Sequence, residues 1–131
     1  MLFRSRHTHR SRPPKINRHL PRGRAGLHAL EVAVEVAGAV GALGLPRGMS
    51  HLRDHLVRAA DNTALRLSEA SGRTLGNRYQ HLEAAYAENQ EVQSDLLLLG
   101  GRGVEVPLTV LRQADRLGGM IYGLLWSEVR E

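Results

Sequence analysis

The chain has 131 residues, 42% of them apolar, no cysteine and a formal net charge of +5. That length predicts one domain with a core of its own, and the lack of cysteine excludes disulfides, thiolate nucleophiles and thiolate zinc sites, in keeping with a reducing compartment such as the cytoplasm. Aromatic residues make up only 4%, and leucine, alanine and valine dominate the apolar set, which predicts an all-α protein.

Residues 1–26 read as a disordered Arg-rich tail and residues 27–131 as a four-helix bundle. Within the first 24 residues stand Arg4, Arg6, Arg10, Arg12, Lys15, Arg18, Arg22 and Arg24, eight bases with no acid. The remaining 107 residues hold ten bases against thirteen acids, a net of −3. The basic character therefore belongs to the tail, and the body is not a basic nucleic-acid platform. Like charge, Pro13, Pro14 and Pro21, and the lack of apolar periodicity predict disorder. A secretory signal is excluded because no apolar segment follows the positive start, and no later run reaches the roughly 18 apolar residues of a membrane span. Four readings of the tail stay open: an idle solvated extension from an over-long gene model, a phosphate-binding arm, an organelle transit peptide, or a docking segment for a protein.

Helix 1 is expected from Leu27 to Leu43. Its polar stripe is only His28, Glu31 and Glu35, which predicts burial on two faces, and Gly44 and Pro46 end it. Helix 2, about 49–71, repeats Met49, Leu52, Leu56, Ala60, Ala64 and Leu67 as a bundle seam, with Ala59 beside it for close approach and Gly72 as its left-handed stop. Helix 3 is expected to start at Asn77, with Gln80 completing a capping box. Its stripe is Tyr79, Leu82, Ala85, Tyr86, Val92 and Leu96, interrupted by Asn89 and Gln93, and Gly100 and Gly101 break it. Helix 4 has Pro107 in its first turn and runs to about Val129, with Val110, Leu111, Ala114, Leu117, Ile121, Leu124 and Leu125 inward.

Short links predict an up-down-up-down antiparallel arrangement. Gly118, Gly119 and Gly123 inside helix 4 each cost roughly 1 kcal/mol against alanine, so a close backbone contact or some strain relief is expected to offset them. Together with the doubly apolar helix 1, they suggest a second surface buried in an oligomer.

The run RAADNTALRLSEASGR, residues 58–73, carries a family signature. Arg58, Ala59, Ala60, Glu69, Gly72 and Arg73, preceded by Leu45-Pro46 and followed by Ala85, Ala87 and Glu91, make the chain resemble the four-helix-bundle proteins encoded in intervening sequences of 23S ribosomal RNA genes. The likeness spans about residues 27–128. It departs at Asn62-Thr63, where the family has Ser-Ile, at Arg66 in place of Asn, at Ala70 in place of Gly, and at Glu88 in place of Ser. The resemblance implies a bacterial, cytoplasmic four-helix subunit that assembles into a homopentamer. A related group, the accessory proteins of diversity-generating retroelements, is similar in fold and works by binding RNA and a reverse transcriptase; the acidic body carries that role weakly unless the tail supplies the charge.

For chemistry, Glu69 and Glu91 on neighbouring helices form either a carboxylate pair with a raised pKa or, by preference, anchors for arginines such as Arg58 or Arg73. His51 and His55, with Asp54 between them, have the spacing of a zinc pair on one helix face, although surface histidines near a helix start are the commoner case. The di-iron bundle pattern needs Glu-x-x-His twice, and His28-x-x-Glu31 runs in the wrong order. Neither a nucleotide loop nor a nucleophile elbow occurs. No catalytic residue, metal or cofactor is therefore assigned. The expected function is a non-enzymatic homo-oligomeric scaffold that binds RNA or a ribonucleoprotein through the eight tail bases. The alternative is an adaptor that recruits a protein partner, such as a reverse transcriptase, through exposed helix faces, and neither reading needs a membrane.

Overall fold

The computed structural model describes residues 22–71 and 75–130, with the side chains of 26–71 and 77–128. Among the described residues the chain is all-helical, with no strand and four helices: α1 (Arg22–Gly41), α2 (Ser50–Ser71), α3 (Leu75–Gly101) and α4 (Leu108–Arg130). The main contacts run α1 to α2, α2 to α3, α3 to α4 and α4 back to α1, the closed circuit of a four-helix bundle. No helix among the described residues is long and apolar enough to cross a membrane.

The apolar stripes expected from periodicity form the core. Leu56, Ala60 and Leu67 of α2, Leu82, Ala85, Val92 and Leu96 of α3, and Ala114, Leu117 and Ile121 of α4 are buried together. From α1 come Ala29, Val32, Ala33, Val36 and Val40. Among the described residues one face of α1 is covered, and Leu27 and Val34 on the other are 54% and 57% exposed, so the second buried face expected of this helix is not formed by them.

Element ends differ from expectation in three places. α1 starts at Arg22, so residues 22–26 belong to a helix and not to the tail. Gly26 is buried there, and a Cβ at that position would stand 3.7 Å from Nη2 of Arg78, so packing against α3 extends the helix beyond its apolar pattern. The same helix ends at Gly41, before Gly44 and Pro46, as the Ala42 and Leu43 amides turn to the Ala39 and Val40 carbonyls in tightened i→i+3 bonds. α3 begins at Leu75, two residues ahead of Asn77, so Asn77 and Gln80 lie within the helix and do not cap its start. The anchor at that end is Arg78, which is buried and reaches back to the carbonyl of Ala70 near the end of α2.

The connections follow turn chemistry. Gly48, at φ 90°, sits third in a Pro46–Met49 turn closed by the Met49 amide on the Pro46 carbonyl, a backbone that favours glycine. α3 includes Gly100, ends at Gly101 and is closed by a Schellman motif: Val104 donates to Leu99 and Gly103 to Gly100, with Gly103 at φ 86°. Pro107 stands just before α4, its carbonyl accepting from Val110 and Leu111.

Candidate functional site

The densest grouping of chemistry-bearing side chains lies along the seam between α2 and α3. On α2, residues 55, 58, 62, 66 and 69 recur at steps of three and four, and on α3 residues 81, 88, 91 and 95 follow at steps of seven, three and four, so each set keeps to one flank of its helix. His55 bridges the helices. Its Nδ1 lies 2.6 Å from Oδ2 of Asp95, a carboxylate only 7% exposed, and its Nε2 lies 3.7 Å from Oε1 of Glu91. The hydrogen bond to Asp95, then the charge of Asp95, with a smaller part from Glu91, raise the His55 pKa above its ordinary 6.5 against opposing desolvation and the charge of Arg58.

One turn along, Asn62 hydrogen-bonds Glu88. Glu88 has a pKa raised first by burial and then by the charge of Glu91, while Arg66, Asn62 and His55 pull it back. At the far end of the seam Glu69 faces His81 at 3.2 Å and Arg66 at 3.5 Å. Asn62, Arg66 and Glu88, three departures from the signature named above, thus sit together and offset one another.

The structure separates residues that the sequence left as candidates for one site. Glu69 keeps to the His81 level and Glu91 to the His55 level; ten residues of α3 between them amount to about 15 Å of helix. Glu69 is met by Arg66 and His81. Arg58 is exposed beside His55 and acts on it through charge. Ala59 and Ala60 are 2% exposed, the close-approach role expected of them. Gly72 and Arg73 lie outside the described residues, as do Arg4, Arg6, Arg10, Arg12, Lys15 and Arg18. Arg22 and Arg24 lie in the first turn of α1, with side chains outside the description. His55 turns one ring nitrogen to Asp95 and the other to Glu91, so the two carboxylates do not converge on one point. Among the described residues, no three such groups are placed to hold a metal ion.

Two buried polar features lay hidden in the apolar stripe of α3. Asn89 and Gln93, 0% and 2% exposed, both donate to the Ala114 carbonyl of α4, at 3.0 and 3.3 Å. Gly118, four residues on in α4, is buried as well. Arg78, four residues before Leu82 on the same stripe, pairs with Glu128 of α4 at 2.9 Å. Polar residues at core positions were the signal; their partners were not readable. The arrangement ties helices together: His55 and Arg78 meet carboxylates of neighbouring helices, and Asn89 and Gln93 meet a backbone carbonyl of α4. No family model, no curated protein and no solved structure matches this chain.

Proposed function

We propose that the chain is a non-catalytic, homo-oligomeric helical scaffold of the cytoplasm that binds RNA or a ribonucleoprotein through the bases of its first 24 residues. The observation that carries this reading is the division of charge: eight bases and no acid before residue 25, and a net of −3 after it. Clustered arginines bind phosphates by releasing counterions, and an acidic body keeps that contact confined to the arm. Because α1 starts at Arg22, the last two bases of the arm stand on a helix of the bundle.

The subunit is read as an antiparallel up-down-up-down bundle. Supporting this are pairs whose numbers rise on one helix as they fall on the next: His55 with Asp95 and Ala70 with Arg78, then Arg78 with Glu128 and Asn89 with Ala114. Self-association is placed on the outward face of α1, where Leu27 and Val34 are exposed and Gly38 has no neighbour within 4 Å of an added Cβ. The pentameric assembly and the kinship with the intervening-sequence proteins rest on Arg58, Ala59, Ala60, Glu69, Gly72, Arg73 and Glu91. An adaptor role, recruiting a protein partner such as a reverse transcriptase, is favoured by one observation: Leu97, Leu98 and Leu108, about half exposed, gather where α3 ends and α4 begins.

Fluorescence anisotropy with a labelled single-stranded RNA tests the arm. The full chain is expected to bind with a log–log salt slope of about −0.7 per phosphate neutralised. A full-length variant with Gln at Arg4, Arg6, Arg10, Arg12, Lys15 and Arg18, which leaves α1 intact, is expected to lose most of that binding. Equal affinity of the two chains at matched salt rejects the arm and turns attention to the apolar end of α3.

A further inference from the structure

One imidazole on α2 grips two carboxylates of α3 that stand one turn apart. Asp95, the closer, is buried and has His55 at 2.6 Å, whereas Glu91, at 3.7 Å from the other ring nitrogen, is 52% exposed. Asp95 also lies in the last two turns of α3, where the helix dipole presents its negative end. A buried anion in that place depends on a cation facing it. Glu88, Glu91 and Asp95 follow at steps of three and four, so α3 sets three acids along one flank of the seam.

Across the seam, α2 offers His55 in direct contact, while Arg58 acts on His55, and Arg66 on Glu88, through charge alone. Among the described side chains of α1, the other helix packed on α2, Glu35 bonds Gln113 and His28 lies between Glu31 and Arg116. At the Asp95 end of this acid row, His55 is thus the base of α2 in direct contact with the carboxylates.

We propose that His55 is a proton-operated clasp that holds the start of α2 against the end of α3 when protonated and loosens it when neutral. Protonated, the ring donates Nδ1–H to Asp95, presents its charge to Glu91 at 3.7 Å and offsets the acid row. Neutral, it keeps at most one donated bond and leaves the acid row to repel itself. The folded-state pKa of His55 lies above its ordinary 6.5, Asp95 being the main cause. The sign follows: the clasp's stabilisation is complete below the unfolded value and is lost as pH rises through the raised one. Loosening begins beside Leu97 and Leu98, already 50% and 48% exposed, and uncovers Leu52 and Leu99 next to them, so the apolar surface at this end grows with pH.

The test uses the full-length chain. An NMR titration of the imidazole carbon resonances is expected to place the His55 midpoint above that of an unfolded-chain histidine. Asp95→Asn should move it down strongly, and Glu91→Gln less. Urea unfolding between about pH 6 and about pH 9 should show the parent losing midpoint faster than His55→Gln, and amide protection in the first two turns of α2 falling over the same interval in the parent alone. A His55 midpoint at or below the unfolded value overturns the clasp, and so do parallel urea curves for the parent and His55→Gln. Should His55→Gln not fold, Glu91→Gln, which alters only an exposed contact, takes its place: a pH curve flatter than the parent's upholds the clasp, and a parallel one overturns it.

Discussion

Arg78 and Glu128, 50 residues apart in the chain, meet as a buried ion pair, Nε to Oε2 at 2.9 Å, with side chains 6% and 2% exposed. The same guanidinium donates through Nη1 to the Ala70 carbonyl at 3.1 Å, so one side chain of α3 joins the ends of α2 and α4. Desolvating two charges is expensive, and the pair is retained because its geometry and the added carbonyl bond answer that cost. Arg78→Ala, which removes one partner of this buried carboxylate, is expected to destabilise by up to about 3–5 kcal/mol in urea unfolding. The double replacement Arg78→Met with Glu128→Leu should come out near neutral or more stable than the parent by up to about 4 kcal/mol. A single substitution that melts like the parent would show that the pair does not hold this end of the bundle.

The signature residues on α2 are expected to act through packing. Ala60 is 2% exposed, and Ala60→Leu should overpack the seam, costing about 1–3 kcal/mol. Glu69 is half-exposed beside Arg66 and His81, and a surface pair contributes about 0–1 kcal/mol, so Glu69→Gln should shift the thermal midpoint little. Thermal melts and light scattering of both variants check this. A Glu69→Gln chain that melts and assembles like the parent but no longer binds RNA would make this carboxylate a site instead of a brace.

Glu88 gives a pH dependence of opposite usefulness to a stabilising carboxylate. Its pKa is raised, by burial first and by Glu91 second, so the folded chain disfavours its ionised form. That penalty is absent below the unfolded carboxylate value and sets in as pH climbs through the raised one. Glu88→Gln should therefore raise stability at neutral pH and leave it unchanged in acid. Parallel pH curves of the urea midpoint for the two chains would refute it.

Glycines separate local strain from assembly. Gly103 has φ 86°, and Gly103→Ala should cost about 1–2 kcal/mol because an L-residue is strained there. Gly38 and Gly123 lie inside helices with nothing within 4 Å of an added Cβ, so alanine at either should stabilise the isolated subunit by about 1 kcal/mol. Among the described residues nothing within the subunit packs closely on Gly123. Under the proposed self-association through the outward face of α1, Gly38→Ala should also lower the mass seen by light scattering. A gain in stability with unchanged mass would move that contact to another face.

Helix identity and the inward stripes were legible in the sequence because both depend on short-range repetition. Leu56, Ala60 and Leu67, or Ala114, Leu117 and Ile121, recur at helical spacing and are buried as that spacing predicts. Ends were less legible: the capping box at Asn77 is a valid local signal, yet α3 starts earlier because Arg78 is anchored to Ala70 and Glu128. Asn89 and Gln93 were visible as interruptions of an apolar stripe, and only packing supplied the Ala114 carbonyl that satisfies their amides. His55 was seen beside His51 as a local pair, whereas its partners are 36 and 40 residues away on another helix. Periodicity records which side of a helix avoids water, a property of neighbours in sequence. Which base meets which acid depends on the rotation and register of two helices against each other, and the tertiary packing alone decides that.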